Sequence, residues 1–485
     1  MTLLDFFAAS LADRPDGLAV NDVSYAALHA GMLRVAERLR EHGLARGDRI
    51  ALYCENRLAF VYAYLAALRL GAIVVPVNVL YRAAELEHVL SDAAPKLVMV
   101  STATRPHAAA FDGPQFIDAA ELEACADKPG APPALARLGP ADDDDALIVY
   151  TSGTTGRSKG AVLTHGNLAS IAAQLVVAWR WSARDTLYAA LPLFHIHGLG
   201  ASLNGSLCAG GRFIFDERFD AKHAIETLRR DDVTMFFGVP TMYVRLLEAL
   251  DGPPPALRLA VSGSAALAPD LFAAFGDRFG MQILERYGAT EFGYALGNRY
   301  AGPRVGGSVG IPMPGMRVHI EAAPGEVGEV LVNGPTVCRG YWNNPGATAA
   351  AFVTDEAGTR WFKSGDLGRY DAENDVFRIV GRLKELIITG GFNVYPLEIE
   401  DELNRIPGIV ASAVIGLPDA VRGELPVAFV EAGGSIDVEN VRALLGERLA
   451  SFKIPRTIHV IDALPRNALG KIEKHRLRAL PLERT

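Results

Sequence analysis

YTSGTTGRSKG, residues 150–160, sets three glycines, the hydroxyls of Thr151, Ser152, Thr154, Thr155 and Ser158, and the cations Arg157 and Lys159 in one run with no apolar residue after Tyr150. Such a run has nothing to bury, whereas its N–H groups and cations can wrap a polyphosphate. A Gly/Ser/Thr cluster is ordinarily a solvated surface loop. Here the flanks argue for more, because 146–150 and 160–163 have the apolar composition of strands and would hold the loop at both ends. Serine rather than glycine precedes Lys159, and an apolar strand follows where a P-loop requires a helix. The stretch therefore reads as a phosphate clamp that is not a Walker loop.

Upstream, Leu28, Met32, Val35 and Leu39 recur at helical spacing and Gly43 closes the segment before an expected strand over 49–54. Strands over 72–77 and 96–100 bracket a helix around 85–90, the alternation of a parallel, doubly wound sheet. The acidic run 142–145 reads as a solvated lead-in to the next strand, since neighbouring carboxylates on an extended chain point to opposite sides and do not share a metal. Downstream, strands are expected over 186–190, 212–216, 234–237 and 257–262. Four segments stand at or near strand ends: LPLFHIHGLG (191–200), GVPTMYVRL (238–246), SGSAAL (262–267) and ERYGATE (285–291). Ligands of open α/β sheets bind beyond the carboxyl ends of strands, so these four are expected to converge. Beyond Gly315, short strand-like runs at 316–320 and 329–332 point to a small antiparallel barrel. After GRLKELIITGG (381–391), Pro396 opens a helix, strands follow near 411–415 and 426–430, and Val438, Val441, Leu445 and Leu449 mark another helix. The expected fold is α/β: a large N-terminal domain over 1–381 built of doubly wound, mainly parallel sheets with a barrel-like part at about 312–381, then a small α+β domain over 385–485.

Bulk properties narrow the function. At 485 residues the chain exceeds a single core. Its hydrophobic share of 50%, charged share of 21% and net charge of −8 offer no electrostatic basis for nucleic-acid binding. The apolar region 58–80 is interrupted by Arg69, Pro76 and Asn78, which makes it a buried helix and strand instead of a membrane span. Asp5 and Asp13, with no basic lead-in, argue against a signal peptide. Cys54, Cys125, Cys208 and Cys338 have no CxxC spacing, which suggests reduced thiols in a cytoplasmic setting.

YTSGTTGRSKG, YGATE (287–291), SGDLGRY (364–370), GRLKELI (381–387) and PRNALGK (465–471), in this order, resemble the AMP-forming acyl-CoA synthetases of the adenylate-forming superfamily nearly end to end. Through FHIHGL (194–199), GVPTMYVRL and ERYG (285–288), the chain looks most like the malonyl-CoA synthetases. The resemblance implies two steps. A carboxylate attacks the α-phosphorus of ATP, releasing pyrophosphate, and the thiol of CoA then displaces AMP to give a thioester. Both partners of the first step are anions. One cation at about 4 Å is worth roughly 4 kcal/mol at an effective dielectric near 20, on the order of a thousandfold in rate. By resemblance that catalytic cation is Lys471. Glu291 and Thr151 would help hold Mg²⁺, and Thr290 would touch the α-phosphate. Thr151, Ser152, Gly153, Thr154, Thr155 and Lys159 would cover the β- and γ-phosphates. Gly263, Ser264, Ala265, Glu285, Tyr287 and Gly288 would line the adenine slot. Asp366 would accept both ribose hydroxyls, with Arg382 nearby. His195 would gate the substrate and CoA channel. The C-terminal domain would turn about a hinge at 382–384, centred on Lys384, withdrawing Lys471 and bringing Gly390 and Gly391 toward the pantetheine channel.

For the acid, Arg245 and Arg286 align with the cationic pair by which malonyl-CoA synthetases hold the distal carboxylate, with Met242 beside them. Burying a second carboxylate is costly unless it is paired, and a guanidinium pairs it bidentately. Arg245 reads equally as a helix-surface arginine. His195 and His197 lack a third ligand for a metal, and His197 reads as a core histidine. Ala289 and Phe292 depart from the commonest YGMTET form, which keeps methylmalonate, another short dicarboxylate, and a short or aromatic monocarboxylate as alternative acids. An adenylation module loading a carrier protein needs a carboxylate for the substrate ammonium, and FHIHG supplies none. A nucleotide sensor is disfavoured by the joint presence of Lys471, Glu291, Asp366 and Arg382. The expected partners are a small carboxylic acid, ATP with Mg²⁺, and CoA, with neither nucleic acid nor membrane.

Overall fold

The computed structural model describes residues 1–109, 111, 113–135, 139–151, 158–419, 421–467, 470–478 and 480. The chain forms two compact units: Met1–Val318 with Val332–Phe362, and His319–Leu331 with Lys363–Thr485. The 382–384 segment, expected as a hinge, lies inside the second unit.

In the first unit, the strands Asp145–Thr151 and Lys159–Thr164 flank the glycine-rich loop and pair antiparallel, with Ile148 opposite Val162. The helix His165–Ala178 starts only after this second strand, where Thr164 and Asn167 exchange side-chain and backbone hydrogen bonds in a capping box. This hairpin borders a seven-stranded sheet whose other strands include Arg49–Tyr53, Ile73–Pro76 and Leu97–Val100, all parallel. Every residue of Ile73–Pro76 and Leu97–Val100 is buried, as a parallel sheet covered on both faces requires. The helix Leu58–Leu70 is apolar all round and buried from Ala59 to Leu68, so the apolar region 58–80 is indeed a core helix followed by a strand. Among the described residues no helix is long and apolar enough to cross a membrane. In the acidic run, Asp144 accepts from the N–H of Ala141 and pairs with Arg46 at 2.5 Å, while Asp145 pairs with Arg339 at 3.0 Å.

The second sheet of this unit has nine strands. The parallel strands Leu284–Ala289, Leu259–Ser262, Met235–Gly238 and Thr186–Tyr188 lie side by side in that order. Their adjacency makes the four singled-out segments neighbours. ERYG differs from expectation in being part of a strand rather than following one. Beyond Glu285 the strand Leu284–Ala289 leaves its parallel neighbour and is continued by an antiparallel ladder to Gly293–Gly297, which supplies the backbone partners that extend it.

In the second unit, Asp366–Asp371 pairs antiparallel with Val376–Arg382, one of the short antiparallel pairings expected beyond Gly315. A 3-10 turn, Leu383–Glu385, then leads to the strand Ile387–Thr389 of a five-stranded sheet. Pro396 stands at the first position of the helix Pro396–Asn404, whose Ile399 and Leu403 pack with Val414, Val430 and Leu445.

The helix Pro240–Ala249 is tied to the nine-stranded sheet by Tyr243, which is fully buried and donates its hydroxyl to the Val261 carbonyl at 2.7 Å. Tyr243→Phe is expected to destabilise the protein by about 1 kcal/mol. An unchanged thermal midpoint would show that this tie carries no stability.

Candidate active site

The described ends of the glycine-rich loop converge on Glu291. Glu291 turns the chain between the strands Leu284–Ala289 and Gly293–Gly297. Its Oε1 accepts from Thr151 Oγ1 at 3.2 Å and from the Tyr341 hydroxyl at 3.1 Å. The Lys159 ammonium stands 5.2 Å from the Tyr341 ring centroid. Burial and the Glu291 charge both push the Tyr341 phenol up, so it stays a donor. One carboxylate and two hydroxyls form a hard-oxygen set that suits Mg²⁺ when phosphates and water complete its shell. Among the described residues no group of three or more His, Cys, Asp or Glu could hold a metal without such help. Ser152, Gly153, Thr154 and Thr155 lie outside the described residues. Thr290 is buried beside Glu291.

The strand-end segments build the adjoining pocket. Arg286 is 5% exposed and its guanidinium stands 4.4 Å from the Tyr294 ring centroid. Its Nε and Nη2 are buried with no hydrogen-bond partner among the described residues. Burial pulls its pKa below the ordinary arginine value. The guanidinium lies against Gly263 so closely that a Cβ there would sit 2.3 Å from Cζ. Ser264 follows with φ +70°, a left-handed conformation that costs a non-glycine residue roughly 1–3 kcal/mol and tends to persist at functional sites. Its hydroxyl is 3.3 Å from His197 Nδ1.

His197 opens a π-helical segment, His197–Leu203, a rare geometry that recurs at functional sites. Its ring stacks on Phe237 at 6.3 Å. Burial, then the charges of Arg286 and His195, lower its pKa well below the usual histidine value, so the ring is neutral. His197 is thus buried as expected of a core histidine, yet it borders this pocket. His195 is half-buried and its Nδ1 accepts the His197 N–H at 3.4 Å. Glu285 is buried and accepts the Leu267 N–H at 3.0 Å, which braces the SGSAAL loop. Tyr287 packs against Phe292, with ring centroids 5.6 Å apart, and Ala265 is exposed. Met242 is partly buried, whereas Arg245 is exposed on the same helix, over the Phe219 ring at 5.0 Å. The two arginines therefore occupy unlike surroundings.

The second unit gathers its own charges. Asp366 is buried and pairs with Arg382 Nε at 3.0 Å across the ladder that sets the two residues opposite each other. Lys471 has an exposed side chain, yet the protein packed about its ammonium, and then Arg382 and Lys384, push it down to about 8 against the opposing pull of Asp366 and Glu385. Residues expected to serve one reaction, Lys471, Asp366, Arg382 and Lys384, thus share one electrostatic neighbourhood. Burial and Arg382 lower the Lys384 ammonium as well. Gly390 and Gly391, at φ +58° and +85°, form the two-residue connection between the strands Ile387–Thr389 and Phe392–Val394. Positive φ at both positions is what a type I′ hairpin turn demands.

With this geometry in view, the family models decide the identity. The model described as AMP-binding enzyme matches residues 7–342, and the AMP-binding enzyme C-terminal domain matches 398–471. The chain belongs to the AMP-binding enzyme family. It is similar to a feruloyl-CoA synthase of Amycolatopsis sp (35% identical, covering 94% of this chain and 93% of that one). An oxalate–CoA ligase of Arabidopsis thaliana is 34% identical over 97% and 96% of the two chains. A mitochondrial malonate–CoA ligase of Mus musculus is 33% identical over 94% and 86%. Among solved structures, ATP-bound MatB from Rhodopseudomonas palustris is 39% identical, covers 99% of both chains and superposes with a TM-score of 0.91. The protein is an AMP-forming acyl-CoA synthetase, an acid–thiol ligase that uses ATP and CoA.

Sequence reasoning missed Tyr341 and Tyr294, the partners of Glu291 and Arg286. Each is a single aromatic residue within an ordinary strand pattern; strand pairing brings it to its charged partner, within one hairpin for Tyr294 and between segments far apart in sequence for Tyr341. The Lys471 environment has a direct chemical check. At pH 8 an amine with a pKa of about 8 is half neutral, roughly a hundredfold more than an ordinary lysine. Trace acylation followed by peptide mass spectrometry is expected to label Lys471, whose side chain is itself exposed, ahead of the other exposed lysines, and labelling at the common rate would contradict this environment.

Proposed function

We propose that the protein activates malonate, or its methyl derivative, as an acyl-adenylate and passes the acyl group to CoA, releasing pyrophosphate and AMP. The observation that carries this reading is the buried Arg286 guanidinium, two of whose nitrogens have no hydrogen-bond partner among the described residues. An unpaired buried cation is costly, and a carboxylate at the far end of the substrate would supply its missing acceptors. Gly263 leaves room for the guanidinium itself. The similarity to a malonate–CoA ligase supports the reading. A second reading, an aryl or short monocarboxylic acid, draws on the feruloyl-CoA synthase relative and on the exposure of Arg245, which leaves one buried cation in the pocket instead of two.

In the proposed adenylation step, Lys471 lies between the attacking carboxylate and the α-phosphate and offsets their repulsion. Asp366 accepts the ribose hydroxyls while Arg382 holds its carboxylate in place. Mg²⁺ bound with ATP would reduce the phosphate charge, with Glu291 as its protein carboxylate. Thr151 and Lys159 hold the leaving pyrophosphate. For the thiol step the residues about Lys384 act as the hinge, and Gly390 and Gly391 approach the pantetheine arm. The free cysteines accord with a reducing compartment such as the cytoplasm.

Lys471→Ala is expected to lower acid-dependent ATP–pyrophosphate exchange at least about a hundredfold while ATP still binds. Undiminished exchange would remove Lys471 from the chemistry. Because the cation is the active form, exchange in the wild type should decline as pH rises through about 8, the value to which Lys471 is lowered. For the acid, thioester formation across a panel of mono- and dicarboxylates should favour malonate, and Arg286→Ala should cost malonate about a hundredfold more than acetate or butyrate. Equal losses for all acids would assign Arg286 a structural role.

A further inference from the structure

Three residues beyond Lys471, Lys474 is a second lysine with a different task. Its side chain is 18% exposed and reaches two carboxylates that come from separate parts of the chain. Glu400, on the helix Pro396–Asn404, lies 2.7 Å away, and Glu385, in the 3-10 turn Leu383–Glu385, lies 3.1 Å away. The two arms are not equivalent. Glu400 is 8% exposed and its Oε1 also accepts the Val414 N–H at 2.6 Å, so this arm is built into the sheet and helix around it. Glu385 sits on a three-residue turn with no buried side chain, between the strand that ends at Arg382 and the strand that starts at Ile387. A short turn can change its backbone angles without unpacking a core, whereas Glu400 cannot move without breaking one.

The triad also bears on Lys471. The lysine loop is tied at its base by the bridge between Arg466 and Ile472 and by Leu477, which is fully buried against Ile415 and Phe429. Lys474 lies between these ties and Glu385. Burial raises the Glu385 carboxyl, but Lys474, Arg382 and Lys471 outweigh it and the net shift is downward, so Glu385 is a carboxylate facing all three cations.

We propose that Glu385, acting through Lys474, is a positioning residue for adenylation: it latches the Lys471 loop to the turn after Arg382, while Glu400 is the second, core-anchored partner that keeps Lys474 paired when the Glu385 arm is removed. The inference rests on the two-step reading given above. It implies that breaking the Glu385 arm harms the first half-reaction and spares the second, which a merely structural ion pair would not do.

The test compares Glu385→Gln, Glu385→Asp and Lys471→Ala in the full-length enzyme. Adenylation is followed by malonate-dependent ATP–pyrophosphate exchange, and thioester formation by adding CoA to chemically prepared malonyl-adenylate. Glu385→Gln is expected to slow exchange about tenfold, the loss of one hydrogen bond to a charged group, with thioester formation from the adenylate within about twofold of wild type. Glu385→Asp should recover part of the exchange. Because the Lys474–Glu400 pair remains, the thermal midpoint should stay near that of the wild type. Equal losses in both half-reactions, no loss in either, or a large drop in thermal midpoint would each overturn the latch. Lys471→Ala separates the two claims. If it retains exchange, the two-step reading fails; if it loses exchange while Glu385→Gln does not, only the latch fails.

Discussion

Arg286 can be buried because position 263 carries no side chain. The strands Leu259–Ser262 and Leu284–Ala289 run parallel and adjacent, so the residues leaving their carboxyl ends are forced together. A Cβ on residue 263 would occupy the space of the guanidinium. The same close packing brings Ser264 into a strained backbone conformation and its hydroxyl to His197. The neutral state of His197 follows from the buried cation nearby and from the loss of water around both. The surroundings of Arg286 are therefore a consequence of one steric permission, and the cation, the strained serine and the neutral histidine are linked.

The first unit supports that permission with apolar strands buried on both faces, so the strand ends are rigid and the chemistry is confined to what projects beyond them. The cluster around Glu291 obeys a different rule. Thr151 and Lys159 face each other across the last pair of the hairpin, and the Tyr341 strand pairs with the far side of the same hairpin. That arrangement delivers two hydroxyls to Glu291 and one ammonium to a tyrosine ring without a continuous motif in the chain.

The second unit manages charge instead of volume. Arg382, Lys384, Lys471 and Lys474 are set against Asp366, Glu385 and Glu400. Within this group the lysine with two close carboxylates is held above its ordinary value, while the lysine crowded by other cations and by burial is lowered to about 8. One is paired on two sides, and the other stands exposed among cations. The difference arises from neighbours drawn from 366 to 400, not from the residues adjacent in sequence.

Residue order made legible the main helices and strands, the strands on both sides of the glycine-rich loop, the helix opened by Pro396 and the family motifs, because these depend on local periodicity, proline and glycine geometry, and contiguous residue patterns. It also pointed to Arg286, through the resemblance of ERYG to the malonyl-CoA synthetases. Strand order, the extension of ERYG into a strand by its antiparallel partner, the burial of Arg286 against the exposure of Arg245, and the unlike charge surroundings of Lys471 and Lys474 came from tertiary contacts. Local patterns carry the cost of ordering a segment, but burial and ionisation depend on which distant groups exclude water from a side chain, and adjacency in sequence does not encode that.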